Sequence, residues 1–300
     1  MKLFKQTLSI NFLGHSFITS ILSSICIIIA VLILIFKGLN LTIEFTGGTT
    51  FNILVPKIDV SEFRLEAQEA LEGNLQIVEI NTDDENSNFL LRMKFINDEE
   101  MVVNALKMIY PKLEIKGIDS FGPKLGSELQ SNARNAILIA LLLKSIYIAL
   151  RFDRYYALGS VAALIHDILI TLGILAILDI EIGISIIAAL LTIVGYSLND
   201  TIVVYDRIRE NITKLINDNK RTIINRSLNE TLNRTVITSF TTMLVVVILF
   251  LYGGIVLQSF AVTLMIGIFI GTYSSLYIAS PIMFYFEEKY PIPEFIDEEV

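Results

Sequence analysis

Charge, cysteine and histidine are scarce in this 300-residue sequence, and each shortage removes a class of function. Charged residues make up 18% of the chain, against roughly 25% in ordinary soluble proteins. A single cysteine, Cys26, lies inside an apolar run, which excludes an intrachain disulfide and a cysteine-based metal site. The two histidines, His15 and His166, are too distant in sequence to form a local ligand pair, so no metal or other cofactor is expected. The formal net charge of −8 provides no basic patch for nucleic acid. The glycine turn Phe45-Thr46-Gly47-Gly48-Thr49-Thr50 is short and has no lysine after its glycines, which rules out a phosphate loop.

What the chain has in excess is apolar residues, 53% of the total, gathered into runs. Six stretches are long enough to cross a hydrocarbon core of about 30 Å: Phe17–Phe36, Ala133–Leu150, Tyr156–Leu178, Gly183–Tyr205, Val236–Tyr252 and Ser259–Phe286. The fold class expected is therefore a multi-pass α-helical membrane protein with six transmembrane helices. The first run exceeds the about 7–15 apolar residues of a signal peptide, and no small-residue cleavage pattern follows it, so a retained anchor is expected. The sixth is long enough to require tilt or a kink.

Lysine and arginine beside short loops orient such a chain. Lys2 and Lys5 precede the first span, Arg151 and Arg154 follow the second, and Arg207, Arg209, Lys214, Lys220, Arg221, Arg226 and Arg234 lie between the fourth and fifth. The turns at 179–182 and 253–258 have none. All three basic segments then share the cytoplasmic face, as do both termini. The expected organisation is a cytoplasmic N-terminus and first span over 1–36 and an extracytoplasmic domain over 37–132. Spans two to six follow over 133–286, with a cytoplasmic amphipathic segment at 207–233, and an acidic cytoplasmic tail closes the chain at 287–300. In the amphipathic segment Ile208, Ile212, Leu215 and Ile216 fall at helical spacing, as in a helix lying along the interface.

Segment 37–132 carries nine basic and sixteen acidic residues. Thr49–Val55 and Leu75–Ile80 read as strands, and Val60–Glu72 as a helix through Val60, Phe63, Ala67 and Leu71. Phe89, Leu91, Met93 and Phe95 alternate with Leu90, Arg92 and Lys94 as in a half-buried strand. Asn97 is placed to cap a helix opening Asp98-Glu99-Glu100, and Leu113–Asp119 closes the series. The order strand–helix–strand–strand–helix–strand, preceded by a short strand at Leu41–Phe45, predicts a small α+β domain of ferredoxin-like type. It holds no catalytic constellation, and no enzyme is expected.

Ionisable groups inside spans are costly, at least about 2.5–3.5 kcal/mol at mid-helix, and mark functional candidates. Lys144 is near enough to its span's end to snorkel. Asp167 lies on a stripe of small and polar residues, Gly159, Ala163, Asp167 and Thr171, suited to helix packing in lipid. Both an interhelical hydrogen bond and a proton-relay role fit it. Thr192, Gly195, Tyr196, Asn199 and Asp200 share one helix face, and Asp200 is too short to snorkel. Arg234, at similar depth on the next span with Thr238, Thr241 and Thr242, is its candidate partner. An aspartate facing an arginine can serve as a proton site coupled to movement, or as a static ion pair joining two helices. Gly267, Gly271, Ser275 and Ala279 give span six a close-packing face.

Taken together, these segments resemble the SecF branch of the SecD/SecF family, within the resistance–nodulation–division superfamily. The resemblance covers essentially the whole chain. It rests on Ile43-Glu44-Phe45-Thr46-Gly47-Gly48-Thr49, on Gly122-Pro123-Lys124-Leu125-Gly126-Ser127-Glu128-Leu129 and on His166-Asp167. It rests also on Gly195-Tyr196-Ser197-Leu198-Asn199-Asp200 running to Asn211, on Leu232-Asn233-Arg234-Thr235, and on Gly271-Thr272-Tyr273-Ser274-Ser275. The resemblance implies a multi-pass subunit of the bacterial cytoplasmic (inner) membrane that pairs with SecD in a twelve-span core. It implies use of the proton-motive force to assist late stages of preprotein export through the SecYEG channel, with YajC a further candidate partner. It also carries the family's transmembrane aspartate onto Asp200 and its arginine onto Arg234. The alternative within the superfamily is half of a proton-coupled exporter of small molecules or lipids. Asp200, Arg234, Asp167 and Asn199 are the proton-coupling candidates, and Gly47, Gly48, Gly122, Pro123, Gly195 and Gly271 the structural motif.

Overall fold

A computed structural model of the chain describes residues 9–71, 75–82 and 85–290. Lys2, Lys5, Glu72 and the tail beyond residue 290 lie outside the described residues, and so do the expectations placed on them. The described residues divide into a helical unit, within 9–40, 136–181 and 185–290, and an α/β unit, within 41–135 and 182–184.

The helical unit is built from α1 (Phe12–Phe36), α5 (Pro123–Arg151, which begins in the α/β unit), α6 (Arg154–Ile177), α7 (Ile184–Lys214), α8 (Lys220–Tyr252), α9 (Gly254–Ser274) and α10 (Ser280–Lys289). A π-helical turn, Ser275–Ala279, joins α9 to α10. Among the described residues, six helices are long and apolar enough to cross a membrane, α9 and α10 counting as one. The long sixth span is thus interrupted by a π-helical turn, which leaves carbonyls without their usual helical donors. Tyr205 Oη takes up one of them, donating to Ala279 O at 3.2 Å.

Burial separates the six. Half or more of the apolar window is inside the protein for α6, α7 and α9–α10, but 11%, 6% and 11% for α1, α5 and α8. The three central helices carry the small and polar residues, and close approach explains why. A β-carbon on Gly159 of α6 would lie 2.6 Å from the Tyr205 hydroxyl. A β-carbon on Gly267 of α9 would run into Ile193 of α7, and one on Gly271 would lie 2.9 Å from Ser197 Cβ. Gly195 differs, with nothing within 4 Å of the corresponding position. The outer helices expose leucine, isoleucine and phenylalanine, such as Phe17, Leu142 and Phe240, as lipid-facing or partner-facing surfaces do.

The amphipathic segment at 207–233 is not a separate interfacial helix. Ile208 and Asn211 continue α7 and are buried, residues 215–219 form the connection, and the rest opens α8. Side-chain bonds favour this hairpin: Glu230 accepts from Arg207 Nε at 2.6 Å, Asn211 Nδ2 at 2.8 Å and Arg226 Nε at 3.0 Å. Ile216, expected on an apolar face, is exposed in the connection.

The α/β unit holds a four-stranded antiparallel sheet in the order β2-β3-β1-β4. Its strands are β1 (Gly48–Pro56), β2 (Gln76–Thr82), β3 (Asn86–Met93) and β4 (Glu114–Phe121). Helices α3 (Val60–Leu71) and α4 (Glu99–Ile109) fall between strands to give the ferredoxin-like order. Alternation sends Phe51, Ile53 and Val55 of β1 and Phe89 and Leu91 of β3 into one core with Phe63, Ala67, Val102 and Leu106. Phe63 stacks on Phe89, their ring centroids 4.5 Å apart.

Two local expectations need correction. Leu41–Phe45 is not a strand: Leu41 makes an isolated bridge with Ile182, and Ile43–Thr46 curl into a single helical turn, α2. The amides of Phe45 and Thr46 both donate to Thr42 O at 3.0 Å, and Phe45 is buried beneath the turn. Gly47, at φ +76°, then redirects the chain into β1. The cap of α4 is Asp98, not Asn97, because it is the Asp98 carboxylate that accepts the Met101 amide, at 3.2 Å.

Candidate functional site

The polar interior of the helical unit has two neighbouring parts. The first is centred on Asp167, fully buried in α6. Its Oδ2 accepts Ser197 Oγ of α7 at 2.6 Å and Ser274 Oγ of α9 at 2.8 Å, while Oδ1 lies 3.0 Å from His166 Nδ1. One carboxylate thus joins the three central helices through short hydrogen bonds of the charge-assisted kind. The small-residue stripe puts it there: Gly159 and Ala163 allow close packing on one side of Asp167, and Thr171 follows one turn on. His166 Nε2 and Thr171 Oγ1 are buried with no hydrogen-bond partner.

The second part is Asp200, three residues after Ser197 and so about one helical turn beyond it. It is 3% exposed, and its Oδ2 has no hydrogen-bond partner. Arg234 and Ser239 of α8 are the neighbouring groups whose charge and hydroxyl act on this carboxylate. The Ser239 hydroxyl itself pairs with Thr272 Oγ1 of α9 at 2.7 Å. Thr235 of α8 is also buried with its hydroxyl unpartnered.

A face-to-face ion pair between Asp200 and Arg234 was the expectation, and the structure departs from it. No Arg234 nitrogen comes within 4.0 Å of an Asp200 oxygen; the arginine is exposed and the aspartate buried. Arg234 instead lines an open cleft of about 490 Å³ with Asn199, Asp206, Arg207, Glu210 and Glu230 among its walls. Asn199 is exposed in the same cleft. The helix turn that turns Asp200 inward turns Asn199 outward, since adjacent residues differ by about 100° around the axis. The threonines beside Arg234 make no such site: Thr238, Thr241 and Thr242 donate to carbonyls of their own helix.

Of the motif glycines, Gly47, Gly48 and Gly271 sit at contacts too close for a side chain, while Gly122 and Gly195 do not. Pro123 opens α5, with its α-carbon against Gly47. Residues given no role of their own from sequence also matter here. Ser197 and Ser274 are unremarkable in an apolar helix until folding aims both at one carboxylate. Glu230 lies in a polar stretch with no local mark of a role, yet it ties α7 to α8.

Comparisons with known proteins bear on this arrangement. The family model described as protein export membrane protein SecD/SecF, C-terminal, matches residues 101–289. The protein translocase subunit SecF of Calditerrivibrio nitroreducens is 40% identical over 292 residues, covering 95% of this chain and 96% of that one. The SecF subunit of Haemophilus influenzae is 36% identical over 287 residues, covering 93% and 87%. A crystal structure of SecDF, a translocon-associated membrane protein from Thermus thermophilus, superposes with a TM-score of 0.84 at 35% identity. The super-membrane-facing form of SecDF gives 0.73 at 35% identity. In each case 96% of this chain is covered, and it spans 40% of the SecDF chain.

Proposed function

The chain belongs to the SecD/SecF family of protein-export membrane proteins, and on that premise we propose that it is a proton-motive-force-dependent subunit of preprotein export. In this reading it lies in the bacterial cytoplasmic membrane with both termini cytoplasmic, and the α/β unit faces the opposite side. It pairs with SecD and assists late steps of export through the SecYEG channel, with YajC an additional partner. Two features support pairing with another membrane subunit. The chain spans 40% of the SecDF chains it resembles, and few residues in the apolar stretches of α1, α5 and α8 are buried within the chain.

The observation that carries the proton reading is Asp200, buried in a membrane-spanning helix with one carboxylate oxygen unpartnered. A carboxyl group in that setting is satisfied in two ways, by carrying a proton or by approach of a cation. Arg234 is the nearby cation, and it stands in an open cleft one step away. Exchange between the two conditions gives a bistable element: proton present with arginine withdrawn, or proton released with arginine drawn in. Asp167, saturated by donors from two other helices, positions the α7 turn that precedes Asp200. Asn199 and Arg234 line the open cleft.

The test replaces Asp200 by Asn in the complex with SecD, keeping size and removing the titratable group. Loss of proton flux together with accumulation of unprocessed preprotein is expected. Unchanged flux and export would refute the reading.

A further inference from the structure

His166 is 2% exposed, and the proton site above makes no use of its second ring nitrogen. Its surroundings come from α1, α9 and the π-helical turn of the helical unit. A β-carbon on Gly173 of α6 would lie 2.5 Å from Ala30 Cβ of α1, so the two helices touch there. Seven residues earlier on each stand His166 and Ser23, and Tyr273 of α9 reaches both. Its hydroxyl pairs with Ser23 Oγ at 3.0 Å, and its ring stacks on the imidazole with centroids 6.0 Å apart. Tyr277 of the π-helical turn stacks on Tyr273 in turn, at 5.3 Å.

An ionised carboxylate only accepts hydrogen bonds, so the 3.0 Å contact with Asp167 Oδ1 puts the proton of the neutral ring on Nδ1. The lone pair is then on Nε2, which is buried without a hydrogen-bond partner. For holding Asp167 alone one donor suffices, and a third serine would supply it as Ser197 and Ser274 do. The imidazole instead adds a buried acceptor that costs stability. A proton on Nε2 gives that atom a use. The ring becomes an imidazolium, and Asp167 is the counter-charge in contact with it. The hydroxyls of Ser23 and Tyr273 can each accept as well as donate, and so suit either state of the ring. The titratable groups placed against His166 are Asp167 on its own helix and Tyr273 on α9, with Tyr277 next in the stack. On α7, Ser197 contacts Asp167 and Asp200 follows one turn on. Helices α1 and α9 and the π-helical turn contain no lysine, arginine, aspartate or glutamate. Glu287 of α10 lines a cleft with Asp153 and Tyr156, which lie about 15 Å or more down α6 from His166.

We propose that His166 is a second proton-carrying group of this chain, with Asp167 as its fixed counter-charge and Asp200 as the first. The proton adds to the Nε2 lone pair and leaves from it, while the Nδ1 proton stays with Asp167 throughout. His166 and Asp200 each hold a buried acceptor atom without a partner, and they are joined through Asp167, Ser197 and one turn of α7. Gain or loss of the imidazole's proton changes the charge beside the carboxylate on which α6, α7 and α9 converge. Intramembrane histidine and aspartate chains are suited to this work because each can exist in two charge states. The inference rests on the proton reading above.

The experiment assembles the full chain, carrying isotope-labelled histidine, with its unlabelled SecD partner in liposomes. His15→Gln removes the other histidine, exposed in the first turn of α1, so nitrogen NMR reads His166 alone. The ring is expected to carry a proton on Nδ1 in alkaline buffer and on both nitrogens after acidification. One charge state across the whole pH range in which the complex moves protons overturns the inference. Flux is the second readout. His166→Asn keeps an amide donor for Asp167 but takes up no proton, whereas His166→Ala loses both. Each is expected to lower proton flux by at least about a hundredfold, the low end for loss of a proton-transferring group. A role confined to holding Asp167 would leave flux intact in His166→Asn, and that result also overturns the inference. Should either variant fail to assemble, the ring titration decides alone. Asp200→Asn separates the two levels: if it stops flux while His166→Asn does not, the second site fails and the export reading stands. If Asp200→Asn leaves flux and export intact, the export reading fails and takes the inference with it.

Discussion

Gly271 of α9 meets Ser197 of α7 so closely that a β-carbon on the glycine would lie 2.9 Å from the serine's own Cβ, and 3.5 Å from Asp167 Oδ2. The bare α-carbon is what allows the Ser197–Asp167 hydrogen bond of 2.6 Å to form in a packed interior.

Gly271→Ala should therefore push Ser197 away from Asp167 and destabilise the helical unit by about 1–3 kcal/mol, the usual cost of overpacking. Gly195→Ala, with no atom within 4 Å of the added carbon, should be neutral or slightly stabilising, since alanine is the better helix former. Thermal unfolding of the two variants in detergent compares them directly. Equal effects would contradict the packing account.

The two buried aspartates should respond oppositely to the same substitution. Asp167→Asn leaves a donor amide among hydroxyls and an imidazole that now bond a carboxylate. A loss of about 1–3 kcal/mol is expected from the group left unsatisfied. Asp200→Asn removes a carboxylate with an unpartnered oxygen and should cost no stability. Melting curves for both proteins check the contrast, and a large loss for Asp200→Asn would mean its carboxylate is better bonded than described.

Asn229 of α8 reads the backbone ahead of α1 as a strand would: the Ile10 amide donates to its Oδ1 and its Nδ2 donates to Ile10 O, both at 2.8 Å. One turn earlier, Asn225 Oδ1 accepts the Leu13 amide at 2.9 Å. Asn229→Ala removes two bonds worth about 1 kcal/mol each, so the Ile10 amide should exchange with solvent up to about thirtyfold faster. Hydrogen exchange resolved to the N-terminal peptide measures this, with the α9 amides as the unchanged reference.

The Ser61 amide and hydroxyl, bonded to Asp59 ahead of α3, hold the Asp59 carboxyl below the usual carboxylate range. A folded-state value below the unfolded one means the charged form is favoured by folding. The stabilisation is present at neutral pH and disappears as pH falls through the depressed folded value. In Asp59→Asn this acid-side component should be absent, so the stability difference between parent and variant should shrink as pH falls. A difference that stays constant from neutral to acid pH would show that Asp59 caps α3 without a titrating contribution.

Much of this protein could be read from the residues alone, because the signals are local. Lipid demands uninterrupted apolar helices, so the runs around Ile28, Ile139, Leu172, Ile193, Val246 and Ile268 announce six of them. Period-two alternation in Phe51-Asn52-Ile53 and Phe89-Leu90-Leu91 likewise announces strands with one buried face. Asp200 and Asp167 stand out against apolar neighbours for the same reason, since a carboxylate in such a run has no local explanation.

Folding alone decided which groups meet. Helical periodicity puts Asn199 and Asp200 on adjoining positions of α7, and only packing against α8 and α9 turned one outward and the other inward. Arg234 has the right depth for an ion pair, yet distance and exposure follow from helix rotation, which a span's composition does not encode. Ser197 and Ser274 lie inside the motifs that carry the resemblance, but nothing local gave either hydroxyl a role, because serine within a helix is common. Their meaning comes from Asp167, 30 and 107 residues away, brought close by chain topology.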